Sequence, residues 1–159
     1  MSAEIIQGTD EWFAARLGNA TASRIADIVA KTKSGYSTSR ANYQEQLIVE
    51  RLTGVHEAGF SNGAMAWGTE KEPDARAAYG FVADTDVAEV GFVAHPTIAR
   101  AGASPDGLVG DVGLVEIKCP NTATHIATLR KGAIADKYQV QMQWPVSYTH
   151  LTLPTIYSV

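Results

Sequence analysis

The sequence has little cysteine, no long apolar run and no excess of positive charge. Cys119 is the single cysteine among 159 residues, which excludes an internal disulfide and a cysteine-based zinc or iron–sulfur site. No apolar run approaches the ~18 residues of a membrane-spanning helix. The start of the chain has neither the basic flank nor the apolar core of a signal peptide. These absences predict a cytoplasmic protein with no membrane association.

The formal net charge of −4 gives no general attraction for nucleic acid, which is usually bound by a basic face. Such binding is not excluded, because a cluster of carboxylates counts as acidic until it binds a cation. The N-terminal third also carries a loose basic cluster, formed by Arg16, Arg24, Lys31, Lys33 and Arg40. The positions of the basic residues therefore matter more than the net charge.

The chain length and a hydrophobic content of 45% predict one globular domain. Apolar spacing and capping residues predict six helices: 12–17 after a cap at Thr9 or Asp10, a short helix capped by Ser23, then 40–52, 62–79, 122–131 and one beginning near Asp136. Between the helix over 62–79 and the helix over 122–131, short β-rich segments predict a meander: 87–95, 98–104, 106–110 and 113–119. This order predicts a mixed α/β domain in which helices flank a central sheet with an antiparallel core.

Several segments are expected to depart from regular structure. Residues 31–39 are polar and predict a surface loop. Pro73, together with Gly68, is expected to kink or divide the helix over 62–79, and Pro145 to interrupt the last helix. Residues 145–159 have no helical period, and we interpret them as an atypical tail, either a truncation or a non-native segment. The domain is accordingly assigned to 1–144.

Acidic and basic side chains interrupt one apolar hairpin, "ASPDGLVGDVGLVEIKCP" at 103–120. Side chains alternate along a strand, so Glu116 and Lys118 share one face, and Val115, Ile117 and Cys119 share the other, apolar face. The tight turn at 110–113 folds the segment from Asp106 back beside them. Neighbouring carboxylates repel each other unless a cation or a proton intervenes. The hairpin therefore predicts a site for a hard divalent ion, Mg²⁺ or Mn²⁺, that also binds a substrate phosphate.

Lys118 beside this ion is expected to orient or deprotonate a metal-bound water, or to hold the scissile phosphate. The implied chemistry is hydrolysis of a phosphodiester. The alternative is structural: Glu116 and Lys118 form a solvent-facing ion pair worth at most ~1 kcal/mol, and Asp106 is a turn residue. The spacing alone leaves both interpretations open.

Four motifs in order make the chain resemble the phage lambda exonuclease and YqaJ-type viral recombinase family of the PD-(D/E)xK nuclease superfamily. These are "EWFAARLGNATAS" (11–23), "AMAWGTEKEPDARAAY" (64–79), "SPDGL…LVEIKCP" (104–120) and "KYQVQMQ" (137–143), and they cover roughly 7–144. The resemblance implies a restriction-endonuclease-like fold and a Mg²⁺-dependent deoxyribonuclease that degrades duplex DNA from an end. It also implies a homo-oligomeric ring, specifically a trimer, a single-strand annealing partner in phage recombination, and action inside a bacterial host.

The resemblance assigns roles to individual residues. Asp106, Glu116 and the Ile117 carbonyl match metal ligands, and Lys118 matches the catalytic lysine. Catalytic roles are also implied for Glu72 and Gln139, which match the polar wall of the site. A 5′-phosphate site is implied by a further set: Arg16, Ser23 and Ser104.

Some of these residues could instead have a purely structural role. Glu72 lies three positions after Thr69 and could close a capping box. Ser23 is a good N-cap in any case, and Gln139 or Gln141 could be ordinary helical polar residues. The family's second arginine after the Glu-x-Lys strand is absent, which weakens the expectation of end selectivity. The alternative functions are an endonuclease of the same superfamily and an inactive DNA-binding or interaction protein.

Overall fold

A computed structural model of the chain describes residues 5–56, 63–111 and 113–149. The α-helices in these ranges are α1 (Asp10–Arg16), α2 (Ile25–Val29), α3 (Thr38–Thr53), α4 (Gly63–Ala83), α5 (Thr122–Lys131) and α6 (Asp136–Thr149). The strands are β1 (Ala20–Thr21), β2 (Lys31–Thr32), β3 (Gly35–Tyr36), β4 (Val87–Ala88), β5 (Val93–Ala94), β6 (Ala101–Ala103), β7 (Gly107–Val109) and β8 (Gly113–Val115). No helix of this described part has the length and apolar character to cross a bilayer.

Local capping groups explain the helix ends that the sequence predicted. The Thr9 hydroxyl accepts a hydrogen bond from the Trp12 N–H at 3.3 Å and begins α1. Gly54 and Gly132 end α3 and α5 with φ of 68° and 62°. Glycine adopts this left-handed conformation without steric cost. The helices predicted over 12–17, 40–52 and 122–131 are confirmed.

Two predictions for the N-terminal third are wrong. Ser23 does not cap α2, because it lies inside a short 3-10 helix, Ala22–Arg24, and α2 has no side-chain cap. Residues 31–39 are not a structureless loop: β2 and β3 pair as an exposed antiparallel hairpin, with Lys31 opposite Tyr36. Ser37 then caps α3, since its hydroxyl accepts from the Ser39 N–H at 3.2 Å.

The two helical prolines do not break their helices. α4 continues through Pro73 and α6 through Pro145, although an internal proline removes one backbone hydrogen bond. Tertiary packing offsets this loss, because Ala75 of α4 and Met142 of α6 are buried. The predicted interruption of the last helix at Pro145 is therefore wrong. The assignment of the domain to 1–144, followed by an atypical tail, stays a prediction, and 150–159 lie outside the described residues.

The six strands other than β2 and β3 form two three-stranded sheets instead of one continuous meander. Their orders are β1-β6-β5 and β4-β7-β8. β1 runs parallel to β6, with Ala20 opposite Ala101, and the remaining pairs of both sheets are antiparallel. The meander divides between β6 and β7, where Pro105 has no N–H to continue a ladder. The mixed α/β fold with an antiparallel core is confirmed, and the single meander is not.

The core lies between α4 and the sheet that contains β8. Ala75, Val115 and Ile117 are its buried members. Partly buried side chains pack around them: Tyr79, Val87, Val109 and Cys119. Val115, Ile117 and Cys119 thus share the apolar face predicted from alternation, and Glu116 and Lys118 are directed away from this core.

Candidate active site

The β7–β8 hairpin brings Asp106 beside the segment that directly follows β8 and carries Glu116. Asp106 directly precedes β7, and Gly107 pairs with Val115 at the end of β8. The Ile117 N–H donates to Oδ2 of Asp106 at 2.5 Å. A Cβ at Gly107 would lie 2.3 Å from Cγ1 of Val87, so only glycine lets β4 approach here. The predicted fold-back of the Asp106 segment is confirmed.

Glu116 is the most deeply buried acid of the site, with 5% of its side chain exposed. Its Oε1 accepts hydrogen bonds from Nζ of Lys118 and from Nε2 of Gln141. Burial, followed by repulsion from Asp106, raises the pKa of Glu116 to about 7. Burial also raises the pKa of Asp106, against the opposing effect of Lys118. Because Glu116 is buried where it bonds Lys118, these two residues are not the solvent-facing ion pair of the structural interpretation.

Lys118 is held as a cation by these acids. Burial alone lowers the pKa of Lys118, but the Glu116 and Asp106 carboxylates outweigh burial, so this pKa lies above its usual value. The ring centre of Tyr138 lies 5.6 Å from Nζ. Beside these two carboxylates, Lys118 is therefore an ammonium group that can donate hydrogen bonds to an anion.

Glu72 faces the same acids from α4. Burial and then repulsion from Asp106 raise its pKa, while Arg76 opposes the shift. Arg76 Nη2 donates to Oε1 of Glu72 at 2.7 Å. The capping-box interpretation is excluded, because α4 already begins at Gly63 and the Thr69 hydroxyl donates to the Met65 carbonyl within the helix. Glu72 therefore contributes a third carboxylate near Asp106.

The structure places Gln141, and not Gln139, against Glu116. Gln139 is exposed, whereas Gln141 is half-buried and bonded to the Glu116 carboxylate. Residues two positions apart on an α-helix point about 200° apart around its axis, so only one of the two glutamines can face the acids. The assignment of Gln139 to the polar wall is accordingly replaced by Gln141.

The three residues predicted to bind a terminal phosphate come together beside α1. Nη1 of Arg16 donates to Oγ of Ser104 at 3.2 Å and Nη2 donates to Oγ of Ser23 at 3.5 Å. The indole N–H of Trp12 also donates to Ser104, at 3.0 Å, and its ring lies 4.1 Å from the guanidinium carbon. Burial lowers the pKa of Arg16. A half-buried cation bonded to neutral hydroxyls is suited to bind an anion.

The donor set fits a hard divalent ion. Among the described residues, no three His, Cys, Asp or Glu side chains converge as a complete metal centre. The buried Glu116 carboxylate and the half-buried Asp106 carboxylate do interact, and each has a raised pKa. Mg²⁺ is commonly bound by one or two carboxylates, with the remaining positions taken by carbonyls, waters and substrate phosphates. Asp106, Glu116 and the Ile117 carbonyl are the groups that would hold such an ion.

Sequence reasoning missed two residues that shape this site. Arg76 bonds Glu72 and also the Asp106 carbonyl, at 2.9 Å. The sequence does contain a pattern that indicates this contact, because an acid and an arginine four positions apart, here Glu72 and Arg76, can pair on a helix. Trp12 bonds Ser104, a contact between residues 92 positions apart that no local pattern indicates.

The fold and the site together define an α/β domain of the nuclease type, with paired carboxylates and a lysine on a hairpin. A profile of the YqaJ-like viral recombinase domain matches residues 11–152. The chain therefore belongs to the YqaJ-like viral recombinase family. It matches none of the curated proteins.

Solved structures agree with this assignment. The chain is similar to LHK-Exo in complex with dAMP, with 52% identity, a TM-score of 0.84, and coverage of 94% of this chain and 73% of that one. It is also similar to an alkaline exonuclease, LHK-Exo, from Laribacter hongkongensis, with 51% identity, a TM-score of 0.83, and coverage of 94% and 74%. A phage-related exonuclease from Haemophilus somnus 129PT shares the fold at 15% identity and a TM-score of 0.61, with coverage of 84% and 64%.

Proposed function

We propose that the chain is a Mg²⁺-dependent deoxyribonuclease that degrades duplex DNA from an end. The observation that carries this proposal is the interaction of the buried Glu116 with the half-buried Asp106 and Lys118 at the β7–β8 hairpin. An ordinary surface hairpin has no physical reason to place two repelling carboxylates together away from water. The similarity to solved exonucleases, at about half identity, supports the same reaction class.

Each side chain has a distinct task in this proposal. Asp106, Glu116 and the Ile117 carbonyl would hold a Mg²⁺ ion, which would supply a water of lowered pKa and stabilise charge on the phosphate. Lys118 stays protonated and donates to a phosphate oxygen, which stabilises charge that develops during hydrolysis. Glu72 and Gln141 complete the polar wall, and Gln141 orients Glu116 through its hydrogen bond.

The Arg16 cluster supports attack from an end. A guanidinium with two neighbouring hydroxyls matches the oxygens of a terminal 5′-phosphate. We therefore expect faster digestion of 5′-phosphorylated than of 5′-hydroxyl linear duplex, and Arg16→Ala should remove this difference. Arg100→Ala, which changes an exposed arginine, is the matched control. Equal rates on both ends in the unaltered chain would contradict the phosphate role.

Substrate topology provides the deciding experiment. The unaltered chain should release nucleotides from linear duplex DNA with Mg²⁺ and should be inactive with EDTA. Covalently closed circular duplex should stay intact. Cleavage of circles would establish the endonuclease alternative, and no cleavage of either substrate would establish an inactive protein. Three further properties remain predictions: a ring-shaped homo-oligomer, specifically a trimer; a phage annealing partner; and a cytoplasmic location in a bacterial host. The mass of the assembly in solution tests the predicted trimer.

A further inference from the structure

Arg76 connects two of the site acids through one buried guanidinium. Only 12% of its side chain is exposed. Nη2 donates to the Glu72 carboxylate at 2.7 Å, and Nε donates to the main-chain carbonyl of Asp106 at 2.9 Å. Nη1 donates to Glu89 at 2.5 Å, and this partner is 67% exposed. The inner two bonds therefore join α4 to the residue before β7, and the third is directed towards solvent.

The main chain at Asp106 is fixed from more than one side. Nε2 of Gln7 donates to the Pro105 carbonyl at 2.8 Å, so the carbonyls of Pro105 and Asp106 both accept side-chain hydrogen bonds. The Asp106 carboxylate in turn accepts from the Ile117 N–H. Arg76 is the member of this set that also bonds a second acid, Glu72. It thereby links the Glu72 carboxylate to the main chain that carries Asp106.

The shape of the side chain matters for this arrangement. A guanidinium is planar and presents its N–H groups at fixed angles, whereas a lysine ammonium is a compact point charge on a flexible stem. Three acceptors in different directions are each bonded by a different nitrogen of Arg76. A lysine at this position keeps the charge and loses this fixed geometry.

We propose that Arg76 is a positioning residue that sets Glu72 and Asp106 for metal binding and hydrolysis without contacting the substrate. This inference rests on the proposed nuclease function. Groups that orient metal ligands typically change metal affinity or activity by about 10–100-fold when removed. A purely stabilising ion pair would instead change the melting temperature and leave the folded enzyme's kinetics intact.

The test compares Arg76→Met and Arg76→Lys with Glu89→Gln, which removes the charge of the outer acceptor and leaves the inner bonds. The readouts are kcat and KM on linear duplex DNA, Mn²⁺ affinity by calorimetry, and thermal unfolding. Kinetics are measured well below the melting temperature of the least stable variant. Arg76→Met should lower kcat by about 10-fold or more and weaken Mn²⁺ binding about 10-fold. KM should change by less than about 3-fold, because uniform substrate binding is retained.

Arg76→Lys should show the same loss of kcat despite its charge, and it replaces Arg76→Met if the latter does not fold. Glu89→Gln should retain both kcat and Mn²⁺ affinity. In a Glu72→Gln background, removal of Arg76 should cost less than in the unaltered chain, because part of its effect passes through Glu72.

Unchanged kcat and Mn²⁺ affinity in both Arg76 variants would overturn the inference, and so would equal losses in Glu89→Gln. If the unaltered chain hydrolyses no DNA, the proposed function fails instead. The Mn²⁺ affinities of the Arg76 variants relative to the unaltered chain then decide whether Arg76 positions the acids.

Discussion

Glu116→Gln is expected to stabilise the metal-free chain at alkaline pH while abolishing hydrolysis. The Glu116 carboxyl is 5% exposed and lies near Asp106, so its ionised form is unfavourable without a cation. Glutamine keeps an oxygen that can accept from Lys118 and Gln141, and it removes the buried charge. The substitution therefore separates the cost of the charge from the packing of the side chain.

The magnitude follows from the pKa. Burial and Asp106 raise the pKa of Glu116 from 4.5 to about 7, which corresponds to about 3 kcal/mol at about 1.4 kcal/mol per pKa unit. Because the folded state binds this proton more tightly than the unfolded state, the contribution of Glu116 to the free energy of unfolding falls as the pH rises from 4.5 to about 7. The ionised Glu116 carboxylate also bonds Lys118, and the loss of this charged hydrogen bond offsets part of the stabilisation. We therefore expect Glu116→Gln to add about 1 to 3 kcal/mol to the free energy of unfolding at pH 8.

The assay is thermal and urea unfolding in EDTA at a pH near 4.5 and at pH 8. The melting temperature of Glu116→Gln should exceed that of the unaltered chain by roughly 3 to 10 °C at pH 8, with little difference near pH 4.5. Glu70→Gln, at a carboxylate with 67% exposure, is the control and should change stability by less than about 0.5 kcal/mol. Excess Mg²⁺ should stabilise the unaltered chain and not the variant. Equal or lower stability of the variant at pH 8 would refute the assignment of a buried, repelled carboxylate.

Three further outcomes are expected. Gln141→Ala should lower kcat on linear duplex DNA by about 10-fold, because it removes a hydrogen bond that orients Glu116. Gln139→Ala should change kcat by less than about 2-fold. A larger loss of kcat in Gln139→Ala than in Gln141→Ala would restore the role predicted for Gln139. Glu50→Ala should destabilise the fold by about 1–3 kcal/mol in urea unfolding, because the buried N–H of Gly18 loses its 2.8 Å acceptor; a neutral effect would contradict this anchoring role. Despite burial, hydrogen bonds hold the pKa of Glu50 below its usual value. The stability that Glu50 contributes should therefore be present above pH 4.5 and be lost as the pH falls below 4.5, a trend opposite to that of Glu116. If Glu50→Ala destabilised the fold equally above and below pH 4.5, this pKa assignment would be contradicted.

Local sequence patterns predicted those features that depend on near neighbours. Gly54 and Gly132 end helices because glycine tolerates positive φ. Alternation along the β8 segment placed Val115 and Ile117 in the core and Glu116 on the opposite face, as observed. Helix-ending glycines and strand alternation act over a few residues, so these two features depend little on the surrounding tertiary structure.

The remaining features depend on how distant segments pack. The parallel pairing of Ala20 with Ala101 joins segments about eighty positions apart, and no periodicity of either segment indicates it. The choice between Gln139 and Gln141 depends on the rotation of α6 against the sheet. Pro73 stands within an uninterrupted helix because packing of α4 offsets a lost hydrogen bond that local reasoning counts in full.

The most direct measurement is the rate of nucleotide release from linear duplex DNA, with Mg²⁺, by Lys118→Ala compared with the unaltered chain. Lys131→Ala, which changes an exposed lysine of α5, is the matched control. Loss of a preorganised cation at the reacting phosphate should lower the rate about 100-fold or more, with the melting temperature showing that the variant is folded. An unchanged rate in folded Lys118→Ala would contradict the assignment of the β7–β8 hairpin as the hydrolytic site.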